Sequence, residues 1–178
     1  MIQRPQAFEN LIKDGTLHET DRLQEWIDRY LVVAADMLRD GKRSDNTAHG
    51  RYITAYEGVH SLASAVLLHY GTRTSNQQGH RNTAFNKLCD VVGVTVDERR
   101  AVMTAHSRRN ETTYKSPLPP LSHKDAETVV SVLANMLPKV IAIVSPPASK
   151  PPTLGSVLTG STAPAATPSS TAGPRKSK

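Results

Sequence analysis

Leu23-Gln24-Glu25-Trp26-Ile27-Asp28-Arg29-Tyr30-Leu31-Val32-Val33-Ala34-Ala35-Asp36-Met37-Leu38 is the stretch that decides the fold class. Leu23, Trp26, Ile27, Tyr30, Leu31, Ala34, Met37 and Leu38 recur at steps of three and four, so they form one apolar stripe on an α-helix. Such a stripe is expected to face a core. Thr20 has the side chain of an N-cap, Asp21 suits a first turn, and Gly41 is the expected stop, with Lys42 and Arg43 just beyond it.

The same period extends in both directions. Upstream, Pro5 to Asp14 reads as a short helix closed by Gly15. Downstream, Tyr52, Ile53, Tyr56, Val59, Ala63, Val66, Leu67 and Tyr70 trace a second stripe that Gly71 stops. Ser61, Ala63, Ser64 and Ala65 supply small side chains for close helix packing. A polar loop is expected from Thr72 to Gly79, and then a helix from about His80 to Val92 with Phe85, Leu88 and Cys89 inward. Asp97 is the expected N-cap of a helix carrying Val102, Met103 and His106, ended by Pro117, Pro119 and Pro120. Ser122 caps a last helix with the stripe Val129, Val130, Leu133, Met136, Leu137, Val140, Ile141 and Val144, in which Pro138 predicts a kink. Only Val91 to Val96 is strand-like, and Gly93 breaks it. The expectation is an all-α, up-and-down bundle of four to five long helices.

Three segments follow: residues 1–16 with the short helix, a bundle over 17–144, and a Pro/Ser/Thr/Ala-rich tail over 145–178. Seven of the twelve prolines lie beyond Val144, with no aromatic residue among them. Such a composition buries too little apolar area to offset chain entropy of about 1–2 kcal/mol per residue, so a disordered tail is expected.

The formal charge of +6 says little about the bundle. Four of the 22 basic residues, Lys150, Arg175, Lys176 and Lys178, lie in the acid-free tail, leaving 18 against 16 acidic residues. A near-neutral domain signals a nucleic-acid partner only through local clustering. One cysteine, Cys89, allows neither an intrachain disulfide nor a cysteine zinc cage, and its inward position suits a core residue. No apolar run reaches the ~18–20 residues that span a bilayer, and the N-terminus has no apolar leader. The expectation is a cytoplasmic protein with no membrane partner. His49, His60 and His69 lack the spacing and the acidic company of a metal site. Asp36, Asp40 and Glu57 form no evident acid/base couple, and no phosphate-cradling glycine loop is present.

The residues with chemical potential lie near the end of the fifth helix. Arg108-Arg109-Asn110 precedes the proline loop. If helix continues to Tyr114, then Asn110 and Tyr114 share a face at i, i+4, with His106 one turn before. An arginine binds phosphate bidentately, asparagine and tyrosine give directional hydrogen bonds, and histidine moves a proton near neutral pH. The same residues also suit a structural role, with the arginines complementing the helix C-terminus and His106 and Tyr114 packing. Arg73, His80 and Arg81, with Asn82, form a second basic cluster that fits phosphate contacts or a solvated surface. No short turn before a basic recognition helix is evident, which weighs against a helix-turn-helix DNA binder.

The order of these features resembles the HEPN superfamily (higher eukaryotes and prokaryotes nucleotide-binding) over roughly residues 17–144. It runs from Tyr56-Glu57-Gly58-Val59-His60-Ser61-Leu62-Ala63 through Gly71-Thr72-Arg73 and Gly79-His80-Arg81 to Arg109-Asn110 with Tyr114. The resemblance implies a small helical bundle that dimerises and, in many members, a metal-independent endoribonuclease of toxin–antitoxin, phage-defence or RNA-processing systems. Carried over, Arg109 matches the family arginine and Asn110 its polar neighbour. Tyr114 stands where a histidine is expected, and a phenol is a weaker base than an imidazole at neutral pH. The implied catalytic set is Arg109, Asn110, Tyr114 and His106, with Arg108, Arg81, His80 and Arg73 on the nucleic acid. No metal or cofactor is implied. The expected partners are RNA or a nucleotide, and a second copy or a related or antitoxin chain. A non-catalytic module that binds RNA, a nucleotide or a protein is the other reading of the same pattern.

Overall fold

The computed structural model describes residues 2–76, 79–116 and 118–145. They form α1 (Gln6–Lys13), β1 (Leu17–Glu19), α2 (Gln24–Lys42), α3 (Ala48–His69), β2 (Thr72–Thr74), α4 (His80–Val92), α5 (Val96–Tyr114) and α6 (His123–Val144). The architecture is the expected all-α bundle, in which α2 to α6 are the long helices. The tail from 146 onward and Pro117 lie outside the described residues.

The third helix organises the rest. Tyr52, Ala55, Tyr56, Val59, Leu62, Ala63, Val66 and Leu67 are all buried, so α3 is apolar around most of its circumference, as a central helix must be. It packs against α2, α6, α4 and α5. Thr47 caps it by accepting from the Gly50 N–H at 3.0 Å. Gly58 lets α3 approach α6 closely, since a Cβ there would lie 2.5 Å from Leu133 Cδ2 and 3.2 Å from Met37 Cβ. The α6 stripe is buried as expected, with Ile141 half-buried, and each fully buried Leu or Val contributes about 1.5–3 kcal/mol. Ser122 caps α6 in a capping box with Asp125. The helix continues through Pro138, whose side chain is on the exposed face.

Several local expectations are corrected. Thr20 is not an N-cap, because its N–H donates to the Gly71 carbonyl at 3.0 Å beside the small sheet, and α2 starts at Gln24. Gly41 does not end α2. It lies inside the helix, where its carbonyl accepts from buried Arg51 Nε at 2.8 Å while Arg51 Nη2 reaches Glu127 at 2.6 Å. Ile27, Leu31 and Ala34 are the buried residues of the α2 stripe, whereas Leu23, Trp26 and Tyr30 are exposed, at 43%, 55% and 36%. A neighbour covers only one arc of that wide stripe. Thr95, not Asp97, caps α5, in a capping box with Glu98. Val91 and Val92 end α4, and Val96 begins α5. The strands lie instead in the segments read as loops, where Leu17, His18 and Glu19 pair antiparallel with Thr74, Arg73 and Thr72. By length and composition α6 is also apolar enough to cross a membrane, contrary to the reading of the sequence. In the bundle its stripe is core.

Candidate functional site

The fifth helix buries little, only Val102, Ala105 and His106. Its C-terminal half lies along α3 and α4, held by hydrogen bonds and ion pairs. Tyr52 donates its hydroxyl to the Ala105 carbonyl at 3.2 Å. One turn along α3, Tyr56 meets His106 Nδ1 at 2.9 Å. At the next residue, Glu57 Oε1 accepts from Arg81 Nη1 at 2.9 Å and lies 3.8 Å from Arg109 Nη2. Arg81 Nη1 also donates to the Tyr56 hydroxyl at 3.2 Å. One arginine from each basic cluster of the sequence thus meets the other on one carboxylate, and arginines 28 positions apart become neighbours.

Arg109 is held by its own helix as well. Its Nη1 donates to the Tyr114 hydroxyl at 3.2 Å and lies 3.5 Å from Asn110 Oδ1. Its guanidinium lies 5.3 Å from the Tyr114 ring centre and 5.8 Å from that of Tyr56, which Arg81 also faces at 5.6 Å. Asn110 Nδ2 is 3.2 Å from His106 Nε2. With Asn110 Oδ1 turned to Arg109, the amide donates to Nε2, so the imidazole proton sits on Nδ1 and points at Tyr56.

Burial, and then the charges of Arg81, Arg109 and His80, hold His106 below the ordinary imidazole range. Burial, reinforced by Arg81 and opposed by Glu57, pushes His60 down to about 4. Its Nδ1 is 3.9 Å from Glu57 Oε2, and its ring meets Phe85 edge-on. Burial pushes the Tyr56 phenol up. At neutral pH the imidazoles at 60 and 106 are therefore neutral. The arginine and glutamate side chains are partly open, at 18% for Arg109, 24% for Arg81 and 27% for Glu57. His106 is buried and Tyr114 is 71% exposed.

The expected residues divide by position. Arg109, Asn110, Tyr114, His106 and Arg81 converge as described. His80, at the start of α4, is close enough for its charge to weigh on both His60 and His106. Arg108 turns elsewhere: Nη2 donates to the Pro119 carbonyl and Nη1 to Glu111 at 3.3 Å. It pins the loop after α5 rather than facing the cluster. Arg73 is exposed on β2 opposite His18. Among the described residues no group of histidine, cysteine and carboxylate side chains could hold a metal ion. Cys89 is buried in the core, and burial pushes its thiol up.

Sequence reasoning missed Tyr56 and Glu57 as members of this site. Glu57 lies on the core-building helix, and its ligating partners are 24 and 52 positions away, beyond any local spacing rule. The available signal was an acidic residue, the only one in α3, set among the apolar positions of the central helix.

The chain matches no family model, and comparison with characterised proteins finds no significant match.

Proposed function

We propose that this chain is an HEPN-like, RNA-targeting protein whose Arg81–Glu57–Arg109 cluster engages a phosphodiester, and that it is a metal-independent endoribonuclease. The observation that carries the reading is the convergence of two partly open guanidiniums from different helices, beside Asn110 and an exposed tyrosine hydroxyl. Arginine forks match phosphate oxygens, and donors fixed in advance stabilise the charge that develops on them. In the reaction a ribose 2′-oxygen forms a bond to the adjacent phosphorus as the bond to the 5′-oxygen breaks. This leaves a 2′,3′-cyclic phosphate and a 5′-hydroxyl. On this reading the Tyr114 hydroxyl, which accepts from Arg109, gives the leaving oxygen its proton. Neutral His106 is in the protonation state of a base, and a ribose hydroxyl that displaced the Asn110 amide would meet its Nε2.

One observation favours a second reading, a module that holds RNA or a nucleotide without cutting. His106 is buried and both its ring nitrogens already have partners. On this reading it positions Asn110, and Tyr114 only flanks Arg109.

The deciding experiment incubates the full chain with RNA in the presence of a chelator, beside Arg109→Ala. Cleavage leaving 2′,3′-cyclic ends, lost in the variant, supports the ribonuclease. Binding without cleavage, weakened about tenfold or more by the variant, supports the module, because a charge-assisted hydrogen bond is worth about 1.5–3 kcal/mol. No binding and no cleavage by the native chain would refute both, leaving Arg109 as a structural cation.

A further inference from the structure

The ratio of charges in the cluster carries a consequence for the ligand. On the phosphate-binding reading above, we infer that Glu57 is a charge filter. It leaves the Arg81–Arg109 pair with one net positive charge and so selects an internal phosphodiester over a terminal phosphate monoester.

The geometry supplies the argument. Both guanidiniums address the same oxygen, Glu57 Oε1, from α4 and from α5. Arg81 is the tightly held one, at 2.9 Å, with a further bond to the Tyr56 hydroxyl. Arg109 is the loosely held one, at 3.8 Å from Glu57 and 3.2 to 3.5 Å from Tyr114 and Asn110, and it stands next to the exposed Tyr114 hydroxyl. An anion reaching the pair therefore meets two partly open guanidiniums, 18% exposed at Arg109 and 24% at Arg81, with the carboxylate they share. The other groups near the cluster are the imidazoles of His60 on α3, His80 on α4 and His106 on α5. Glu111 is already paired with Arg108. Within the Arg81–Glu57–Arg109 triad itself, two guanidiniums and one carboxylate sum to a single positive charge, which one diester neutralises. A monoester carries about −1.5 to −2 near pH 7, so its extra charge meets the Glu57 carboxylate with no third guanidinium in the triad to offset it. In a partly buried setting, one charge at about 4 Å changes affinity by tenfold or more.

The test uses a labelled 2′-O-methyl RNA octamer, which binds without being cut, and two unlabelled competitors. One is a 2′-O-methyl dinucleotide with a single diester and no terminal phosphate. The other is a 2′-O-methyl nucleoside 3′-monophosphate. The native full chain should prefer the diester. In Glu57→Gln the monoester should gain about tenfold relative to the diester, while Glu57→Asp, which keeps the charge, should retain the native preference. An unchanged ratio in Glu57→Gln, or a shift in Glu57→Asp equal to that in Glu57→Gln, overturns the filter. So does octamer binding that neither competitor displaces, because phosphate would then not be the recognised group. Where octamer binding is lost in Arg109→Ala but the ratio never moves, only the filter fails. Where the native chain binds no octamer, the phosphate-binding reading falls and the filter with it.

Discussion

Acid should destabilise this bundle well above the range where carboxylates titrate, and His60 is the main reason. Its imidazole is pushed down to about 4 in the folded chain against 6.5 for the ordinary group. Above about pH 7 both folded and unfolded states are neutral at this site, so the group contributes no pH dependence. As the pH falls below 6.5 the unfolded state takes up a proton that the folded state refuses. Stability is therefore lost as pH falls, over the window from 6.5 down to about 4. At pH 5 this linkage amounts to about 2 kcal/mol, a ceiling because the side chain keeps some access to solvent. The structural origin is specific: burial against Phe85 first, then Arg81, with Glu57 opposing. The measurement is urea unfolding at a series of pH values from 7.5 to 5, for the native chain and for His60→Gln. The native chain should lose more stability over that range, by about 1–2 kcal/mol, and the variant should show a shallower slope. His69 and His106 are depressed in the same direction and remain in both proteins, so the difference isolates His60. Parallel slopes for the two proteins would refute the reasoning, because the imidazole would then titrate alike folded and unfolded.

Three further outcomes are expected. Gly58→Ala should cost about 1–2 kcal/mol in thermal or urea unfolding, because overpacking against Leu133 and Met37 outweighs the gain of about 1 kcal/mol in helix propensity; a stabilised variant would show that α3 and α6 can separate without loss. Tyr114→Phe should leave the melting temperature unchanged, since the ring is exposed, and should lower RNA cleavage by ~10²-fold or more with binding retained; undiminished cleavage would remove the hydroxyl from the chemistry. Light scattering at micromolar concentration should give about twice the monomer mass if the proposed HEPN-like site is shared between two copies across an exposed helix end; a monomer at high concentration would count against a shared site.

Helices α2, α3 and α6 were legible because their stripes persist over four or more turns, long enough for a period of 3.6 to stand out, whereas α1, α4 and α5 were read from shorter apolar sets and their stop or cap residues. The α2 stripe shows the limit of that signal. Leu23, Trp26 and Tyr30 fit the period as well as Ile27 and Leu31 do, and only the placement of α3 and α6 decides which arc is covered. Thr95 and Asp97 both have cap-type side chains, and Glu98 three residues after Thr95 was the overlooked sign of a capping box. The strands were illegible because three residues establish no alternation, and their pairing joins segments more than fifty positions apart. Within the site, His106, Asn110 and Tyr114 were legible because they share one helix at spacings of four. The meeting of Arg109 with Arg81 was not, because it passes through Glu57 and depends on three helices packing in a particular order.

The thin attachment of α5 has a consequence for how a ligand would be felt. Three buried side chains are a small share of the core, so the last turns of this helix rank among the parts that open most readily without unfolding the whole. Amides near Arg109 should exchange with solvent faster than those of α3 or α6. An anion bridging Arg81 and Arg109 would join α4 to α5 and slow that exchange. Part of the binding free energy would then go into ordering the helix, and the measured affinity would understate the strength of the contacts themselves.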